Sequence, residues 1–414
     1  MSRKPRIERL ERTQGVIRFE IPEDGLPPDH PARLLWSVLG SLDLSAFLAN
    51  ARALEGGAGR STKSPRMMLT LWCYAISRGI GSAREIERLT EQDLAFRWIT
   101  GERSISRQTL SNFRAKHSEA LEKLFTDVVG VLLNKGLLSL DTVALDGMRV
   151  RASASAPSFR QCKALEQAKE QATLHLKAVL AQTDDPELSA KQKSVRIQKA
   201  REFQKRVDDA LAVLEQMRAQ KRPPKSLRAS TTDAEARVMK MADGGFRPGF
   251  NVQLATAGDV MSGVRTVVAV RVTNVGSDMQ SLEPMVQQLA DRAGHLPGRV
   301  LADANHANFA HVEALERRGV EVYVPPNKTT KTRTERSDTQ VSEEVHRWRR
   351  RMDTPEAQEL YRARASICEL SNAHFRSRYG MQQFLVRGLR KATAVALLTA
   401  VTHNVLSHAS KLLA

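Results

Sequence analysis

The amino-acid sequence predicts a mixed α/β protein with an all-α region in front of it. Helical periodicity covers residues 28–138, strand-like patterns begin near residue 139, and strand and helix patterns alternate later in the chain. Strands first, then alternating strands and helices, then helices is the order of a mixed α/β sheet. We therefore expect an N-terminal helical domain over residues 1–138. An α/β domain would cover 139–414, with a helical hairpin inserted at 158–224.

The composition points to a polyanionic partner. The chain has 414 residues, with 64 Lys and Arg against 46 Asp and Glu, which gives a formal charge of +18. Its 41% of hydrophobic residues make it a folding chain rather than a disordered polycation. Nucleic acid is the commonest partner of such a chain, because phosphate neutralisation needs Lys and Arg. Basic membrane anchors carry aromatic residues, and these are only 5% here, so we expect no membrane partner.

Cysteine usage and the apolar stretches predict a cytoplasmic protein. The three cysteines lie far apart and form no CxxC pair, which argues against a disulfide framework or a structural zinc site. The stretch MSRKPRIERLERTQ at the N-terminus has no apolar core, so it does not look like a signal peptide. The apolar stretch from Ala392 to Leu406 is too short and too polar to span a bilayer, and it predicts a buried helix.

Local signals in the N-terminal region predict short helices that end in a helix-turn-helix pattern. Capping sequences indicate helix starts at Ser64-Pro65 and at Ser82. A short helix near 93–99, a turn near Gly101 and a polar, basic helix over 104–117 complete the pattern.

The basic helix of this pattern is the candidate DNA reader. Leu110 and Phe113 would face inward. The polar residues that would project outward are Arg107, Gln108, Ser111 and Arg114. The alternative interpretation is an ordinary amphipathic helix with a solvated face.

Beyond residue 139 the sequence pattern changes to strands. Residues 142–152 are rich in β-formers, with a kink expected at Gly147. Two long charged helices follow at 158–182 and 187–220, and the second carries a heptad seam typical of an antiparallel hairpin. The seam residues are Phe203, Val207, Ala210, Leu214 and Met217. Later strands are predicted at 250–255, 264–272, 300–303 and 320–324, a helix at 279–293, a loop at 325–340, and helices interrupted near Gly380 and Gly388.

Two aspartates close apolar strands in this region. Asp146 follows Val-Ala-Leu, and Asp303 follows Val-Leu-Ala. Site residues gather at strand ends in α/β sheets, so two carboxylates would converge if the strands are neighbours. A divalent cation resolves their repulsion, and Mg²⁺ prefers oxygen ligands. The alternative for each aspartate is a turn-capping residue.

Here the residues resemble a known family. The chain looks like the bacterial insertion-sequence transposases of the DDE type, which have an RNase H-like catalytic core, and the resemblance covers roughly residues 28–414. Six or more pieces occur in the correct order. They are HPARLLWSV, SPRMMLTLWCYAISRGIGSAREIERL, VALDGMRVRASAS, DAEARVMKMADGGFRPGFNVQLA, TNVGSDMQSLEPM, VLADANHAN, ICELSNAHFRSRYGMQQFLVRGL and THNVL.

The resemblance implies a catalytic triad and its cofactor. Asp146, Asp303 and Glu369 would be the catalytic carboxylates and would coordinate two Mg²⁺ ions, for which Mn²⁺ can substitute. By the same resemblance, three neighbours of Glu369 would contact DNA: Tyr361, Arg364 and Arg376. This chain has Arg376 where the family usually has Lys, and Ala304-Asn305-His306 where it usually has Ala-Gly-Tyr.

The periodicity of the helix around Glu369 gives it an orientation. An apolar stripe steps by three and four residues: Leu360, Ala363, Ile367, Leu370 and His374. At about 100° per residue, Glu369 lies roughly opposite this stripe, on a face that could look into a DNA cleft. A solvated surface glutamate has the same pattern. Arg364 lies well away from Glu369 on an ideal helix, so either the helix bends or Arg364 does not touch the metal site.

Three other polar positions have a structural interpretation beside a functional one. His306 could be a ligand or proton shuttle, but we interpret it as a surface residue at a helix start. Asp278 could support the site, but it also fits as a neighbour of a helix N-cap. His403-Asn404 matches the family, and a hydrogen-bonded packing pair explains it.

The predicted function is a DNA transposase. Its partners would be double-stranded DNA, both element ends and target, and a second copy of the chain in a homodimer on DNA; no small-molecule substrate is expected. One alternative is a non-enzymatic or decayed sequence-specific DNA-binding protein. The other is a metal-dependent nuclease without strand transfer, which the sequence does not separate from a transposase.

Overall fold

The N-terminal part of the protein is a set of short helices. The computed structural model describes residues 21–49, 61–181, 189–220, 227–258, 263–326 and 342–413. Its first six α-helices are α1 Pro31–Gly40, α2 Pro65–Ser77, α3 Ala83–Gln92, α4 Leu94–Thr100, α5 Arg107–Lys116 and α6 Ser118–Asn134. The Ser64 and Ser82 side chains cap α2 and α3 as predicted. Gly101, with φ 59°, ends α4 in the left-handed conformation that glycine adopts without strain.

A mixed sheet forms the centre of the rest of the chain. Its strands are β1 Thr142–Arg151, β4 Arg237–Lys240, β5 Phe246–Ala257, β6 Thr266–Thr273, β7 Arg299–Ala302 and β8 Glu321–Tyr323. β1 lies between antiparallel β5 and parallel β7, and β8 extends the sheet parallel to β7. β4 and β6 both pair with β5. The α/β fold class is therefore confirmed. A separate two-stranded ribbon joins β2 Phe159–Arg160 to β3 Ala229–Ser230.

Gly147 is needed for close packing rather than for a bend. The pairing of β1 with β5 runs through Gly147 and Gln253 without a shift in register, so the predicted kink is wrong. A Cβ atom at Gly147 would lie 2.3 Å from Gln253 Nε2 and 2.8 Å from Asp278 Oδ1. Glycine is therefore required because polar side chains cross directly over the strand.

The inserted helical hairpin is present. It consists of α7 Cys162–Ala181 and α8 Ala190–Ala219, which pack along each other. Val207, Ala210, Leu214 and Met217 of the predicted seam are buried, whereas Phe203 is 38% exposed. The connection between the two predicted helices, at 183–186, and the end of the predicted insertion, at 221–224, lie outside the described residues.

Helices cover both the sheet and the N-terminal bundle. They are α9 Leu282–Ala293, α10 Phe309–Arg317, α11 Glu343–Met352, α12 Pro355–Ala373, α13 Leu389–Ser407 and α14 Ala409–Leu413, with a π-helical turn at His374–Arg378. The predicted interruptions near Gly380 and Gly388 are confirmed. The loop predicted at 325–340 lies almost wholly outside the described residues. No helix within the described ranges is long and apolar enough to cross a membrane.

Helix α13 joins the two halves of the chain. It packs against β6 on one side and against α2 and α6 on the other. Asn404 on this helix bonds both backbone groups of Val267, and His403 Nε2 lies 2.9 Å from the Arg265 carbonyl. His403-Asn404 is therefore the hydrogen-bonded packing pair that we expected. One apolar core runs across the predicted boundary at residue 138, and the division into two domains stays a prediction.

Candidate active site

The two aspartates lie on neighbouring parallel strands. Leu145 of β1 is in register with Ala302 of β7. The residues that directly follow these two are Asp146 and Asp303. Neighbouring strands are about 4.8 Å apart, so the two carboxylates lie side by side. Asp303 directly follows β7, as predicted, but Asp146 lies in the middle of β1, which continues along β5 to Arg151, so the prediction that Asp146 closes its strand is wrong. The sequence prediction that adjacent strands carry both aspartates is confirmed, whereas their catalytic role stays a prediction.

Asp146 is covered by α12. Asn372 Nδ2 donates a hydrogen bond of 2.7 Å to Asp146 Oδ2, and Arg364 Nη1 lies 3.9 Å from Oδ1. The Cys368 thiol is 3.9 Å from the same carboxylate. Burial raises the pKa of Asp146 above its ordinary value, and the positive charge of Arg364 opposes that shift. Arg364 therefore touches the candidate site, so the predicted possibility that it stays away from the site is wrong.

Asp303 is held by the turn that follows its strand. Its Oδ1 lies 2.6 Å from His306 Nδ1, and Asn305 Nδ2 donates a hydrogen bond of 2.8 Å to Oδ2. Burial alone would raise the pKa of Asp303, but the hydrogen bond and charge of His306 outweigh burial and hold the pKa below its ordinary value. The interpretation of His306 as a surface residue is wrong, because its side chain is fully buried between Asp303 and β5.

A buried polar chain continues from His306 beneath the sheet edge. His306 Nε2 lies 3.1 Å from Gln253 Oε1, and Gln253 Nε2 donates to Asp278 Oδ1 at 2.5 Å. Asp278 also accepts hydrogen bonds from Asn251 and Arg149. Asp278 thus supports the site indirectly and is more than an N-cap neighbour. Gln253 and Asp278 lie in segments that carry the family resemblance, but nothing in their local sequence pattern indicates that they meet.

Glu369 lies on α12 beside this arrangement. Its side chain is exposed, and the residues of α12 that contact Asp146 are Arg364, Cys368 and Asn372. Burial, with the charges of Asp146 and Glu369 acting in the same direction, raises the pKa of the Cys368 thiol to about 12. Glu369 is therefore a near neighbour of the site.

The orientation of α12 differs from the predicted apolar stripe. Ile367 is buried as expected, but Leu370 is 43% exposed, so the stripe is wrong at that position. The physical reason is that α12 lies over a polar part of the sheet. The side chains of α12 that face Asp146 are hydrogen-bonding ones rather than apolar ones, because a half-buried carboxylate needs polar partners.

Carboxylate oxygens on two neighbouring strands form a donor set that suits Mg²⁺. Asn372 Oδ1 adds a buried amide oxygen without a hydrogen-bond partner, directly beside Asp146. In the described part of the chain, no three His, Cys, Asp or Glu side chains approach closely enough to hold a metal ion. The structure therefore brings Asp146 and Asp303 together, but the carboxylate of Glu369 does not join them in one cluster.

A basic cleft borders the candidate site. It has a volume of about 470 Å³ and is lined by Gly147 and by three basic side chains, Arg149, Lys240 and Arg376. Tyr361 lies farther along α12, with the Arg364 guanidinium 5.8 Å from the centre of its ring. The basic lining beside a pair of carboxylates suits a phosphodiester backbone.

The predicted reader helix α5 exposes only part of its basic set. Arg107 and Gln108 are exposed at its N-terminal end, where Ser106 caps the helix. Arg114 is buried, with its guanidinium 4.2 Å from the centre of the Trp72 ring, and it donates a hydrogen bond to the Gly81 carbonyl. Burial lowers the pKa of Arg114 to about 10. The prediction that Arg114 projects outward is wrong, because Arg114 anchors α5 to α2.

Comparisons with known protein families point in one direction. Residues 20–116 match the family described as Transposase domain (DUF772). Residues 217–405 match the family described as Transposase DDE domain, and this match includes Asp303 and α12. No curated protein and no solved structure matches the chain significantly.

Proposed function

Because this chain belongs to the insertion-sequence transposases of the DDE type, we propose that it cuts DNA at the ends of its element and joins the freed ends to target DNA. The observation that supports this most is that Asp146 and Asp303 lie side by side on neighbouring parallel strands. DDE transposase domains use divalent metal ions, and a carboxylate pair beside a basic cleft has the chemistry to hold them over a DNA backbone.

In this proposal Asp146 and Asp303 would hold the metal ions, two Mg²⁺ or Mn²⁺. Glu369, whose exposed side chain lies beside them on α12, would complete the ligand set once the ions are bound. The unpartnered amide oxygen of Asn372 is a further donor. When bound, such ions activate the attacking oxygen and stabilise the leaving oxygen of an in-line displacement at phosphorus. His306 fixes the carboxylate of Asp303 through its 2.6 Å contact.

The reaction has two displacements at phosphorus. Water attacks a phosphodiester at the element end and the P–O3′ bond breaks, which leaves a 5′-phosphate and a free 3′-hydroxyl. That hydroxyl then attacks a target phosphodiester, and the broken target strand leaves with its own 3′-hydroxyl. In this proposal Arg364, Tyr361 and Arg376 contact the DNA, and the guanidinium groups of the two arginines would balance phosphate charge.

Recognition of the element ends is assigned to the exposed start of α5. A side chain that reads a base edge contributes about 1–3 kcal/mol of discrimination, so Arg107→Ala or Gln108→Ala should weaken binding to the end but not to unrelated DNA. Binding titrations on both duplexes test this, and unchanged discrimination in both variants would remove α5 as the reader. A homodimer that holds two ends would appear in light scattering as two chains per paired-end complex.

Strand transfer separates the proposed function from a simple nuclease. Purified protein is incubated with Mg²⁺, a duplex that carries the element end and a supercoiled target plasmid. We expect cut ends and, in addition, a product in which the 3′ end of the element strand is covalently joined to the plasmid. Cutting without joined product indicates a nuclease, and binding without cutting indicates a DNA-binding protein.

A further inference from the structure

The two halves of helix α8 differ in how they are packed. One half, residues 207–219, packs on the ribbon of β2 and β3, and we call it the core half. Its residues Ala210, Leu214 and Met217 form a small core with Leu165 of α7 and Ala229 of β3. The segment 190–199 contributes no buried side chain, and Val195 is 42% exposed. We call residues 190–206 the distal segment. Its one buried side chain is that of Ala200.

The same two halves differ in charge. The distal segment has seven basic residues and one acidic residue, whereas residues 207–219 have one basic residue and three acidic ones. The core half shows an ion pair to the neighbouring helix, Lys169 Nζ to Asp208 Oδ1 at 3.0 Å. Among the described residues, no carboxylate lies within ion-pair distance of Lys191, Arg201 or Lys205. The charge of the distal segment is therefore uncompensated within the described structure.

Three of these cations share one outer face. At about 100° per residue, Lys191, Arg201 and Lys205 fall within about 80° of each other and opposite the buried Leu214. Ser194 and Gln198, which can also bond phosphate oxygens, lie between them. Glu202 lies at the edge of the same face and accepts a hydrogen bond from Gln198. Arg201 and Lys205 are four residues apart, and like charges at that spacing destabilise a helix. A polyanion on this face would remove that repulsion.

We infer that the outer face of the distal segment is an arm that binds the phosphate backbone of duplex DNA, beyond the DNA held at the carboxylates. The inference rests on the proposed function, because it assumes DNA in the complex. The span from residue 191 to 205 is about 21 Å, which matches roughly six base-pair steps at about 3.4 Å each. A second copy of the chain does not suit this face as a partner, because two copies of the face would bring like charges together.

The test is the salt dependence of DNA binding by the full-length protein without divalent metal. The arm variant is Lys191→Gln, Arg201→Gln and Lys205→Gln together. The control variant removes the same charge at sites with acidic partners: Lys123→Gln, Arg317→Gln and Arg350→Gln. Affinity for a duplex of unrelated sequence is measured from about 50 to about 200 mM salt, where each lost phosphate contact reduces the slope of log affinity against log salt by about 0.9.

We expect the arm variant to lose two to three such contacts, a fall in slope of about 1.8 to 2.7, while the control changes the slope by less than about half a contact. Equal slopes in the two variants would overturn the inference. A slope unchanged in the arm variant with loss of a dimer in light scattering would assign the face to a second copy and also overturn it. If the wild-type protein shows no salt-dependent binding, the proposed function itself fails. Circular dichroism melting checks that both variants are folded.

Discussion

Asp146 and Asp303 are the same residue type at matching positions on neighbouring strands, yet their surroundings differ. Asp146 lies under α12, and burial raises its pKa despite the nearby Arg364. Asp303 lies on the turn after β7, where burial raises its pKa but the contact with His306, together with Asn305 and Arg364, lowers it below its ordinary value. One carboxylate is thus controlled by a covering helix, and the other by a buried imidazole.

The difference shows that the strand fixes only the position of a carboxylate in the sheet. Its charge state and orientation come from residues far away in sequence. Asn372 reaches Asp146 from α12, and His306 is itself held by Gln253 of β5. The pair is therefore asymmetric, and each half can be perturbed separately.

The largest expected effect concerns the third predicted carboxylate, Glu369. Glu369→Gln should eliminate strand transfer, because it removes a predicted metal ligand beside the Asp146 half of the pair. Glu359→Gln is the matched control on the same helix, since Glu359 is also exposed, and it should leave strand transfer almost unchanged. Quantifying joined product on plasmid DNA measures both. Full activity in Glu369→Gln would leave an asymmetric pair of aspartates without this third member.

A smaller change is expected from the Asp303 half. His306→Ala removes the group that lowers the pKa of Asp303, so that pKa should rise and Asp303 should be protonated at higher pH. Activity should therefore fall first on the acidic side, and the acid limb of the pH–rate profile should move to higher pH. Loss of a partner that orients a metal ligand costs about 10–100-fold in activity or metal affinity.

The exposed His295 provides the control for this prediction, and His295→Ala should leave the profile in place. Nicking rates measured across pH in each variant make the comparison. An acid limb that does not move in His306→Ala would mean that His306 supports only the fold.

Local sequence signals predicted most of the fold. Caps, glycine stops and periodicity act within one or two helical turns, so the starts of α2 and α3 and the hairpin α7–α8 could be inferred from nearby residues. The aspartates could also be found, since an Asp that follows a short apolar run is a local pattern, although β1 continues past Asp146.

The surroundings of the site could not be inferred in the same way. His306 is buried because β5 passes over it, and Arg114 is buried because Trp72 of α2 lies beneath it. Leu370 is exposed because α12 rests on a polar sheet edge. Each outcome depends on an element far away in sequence. The periodicity within one helix carries no information about such an element.

The most direct measurement is Mg²⁺-dependent nicking of end-containing DNA by Asp146→Asn and by Asp303→Asn. Removal of a metal ligand forfeits several kcal/mol of transition-state stabilisation, so each variant should lose at least about a thousandfold in rate while its affinity for the end stays near wild type. Asp141→Asn, an exposed aspartate just before β1, should nick normally. Retained Mg²⁺-dependent nicking by either purified variant would contradict the assignment of Asp146 and Asp303 as the catalytic pair.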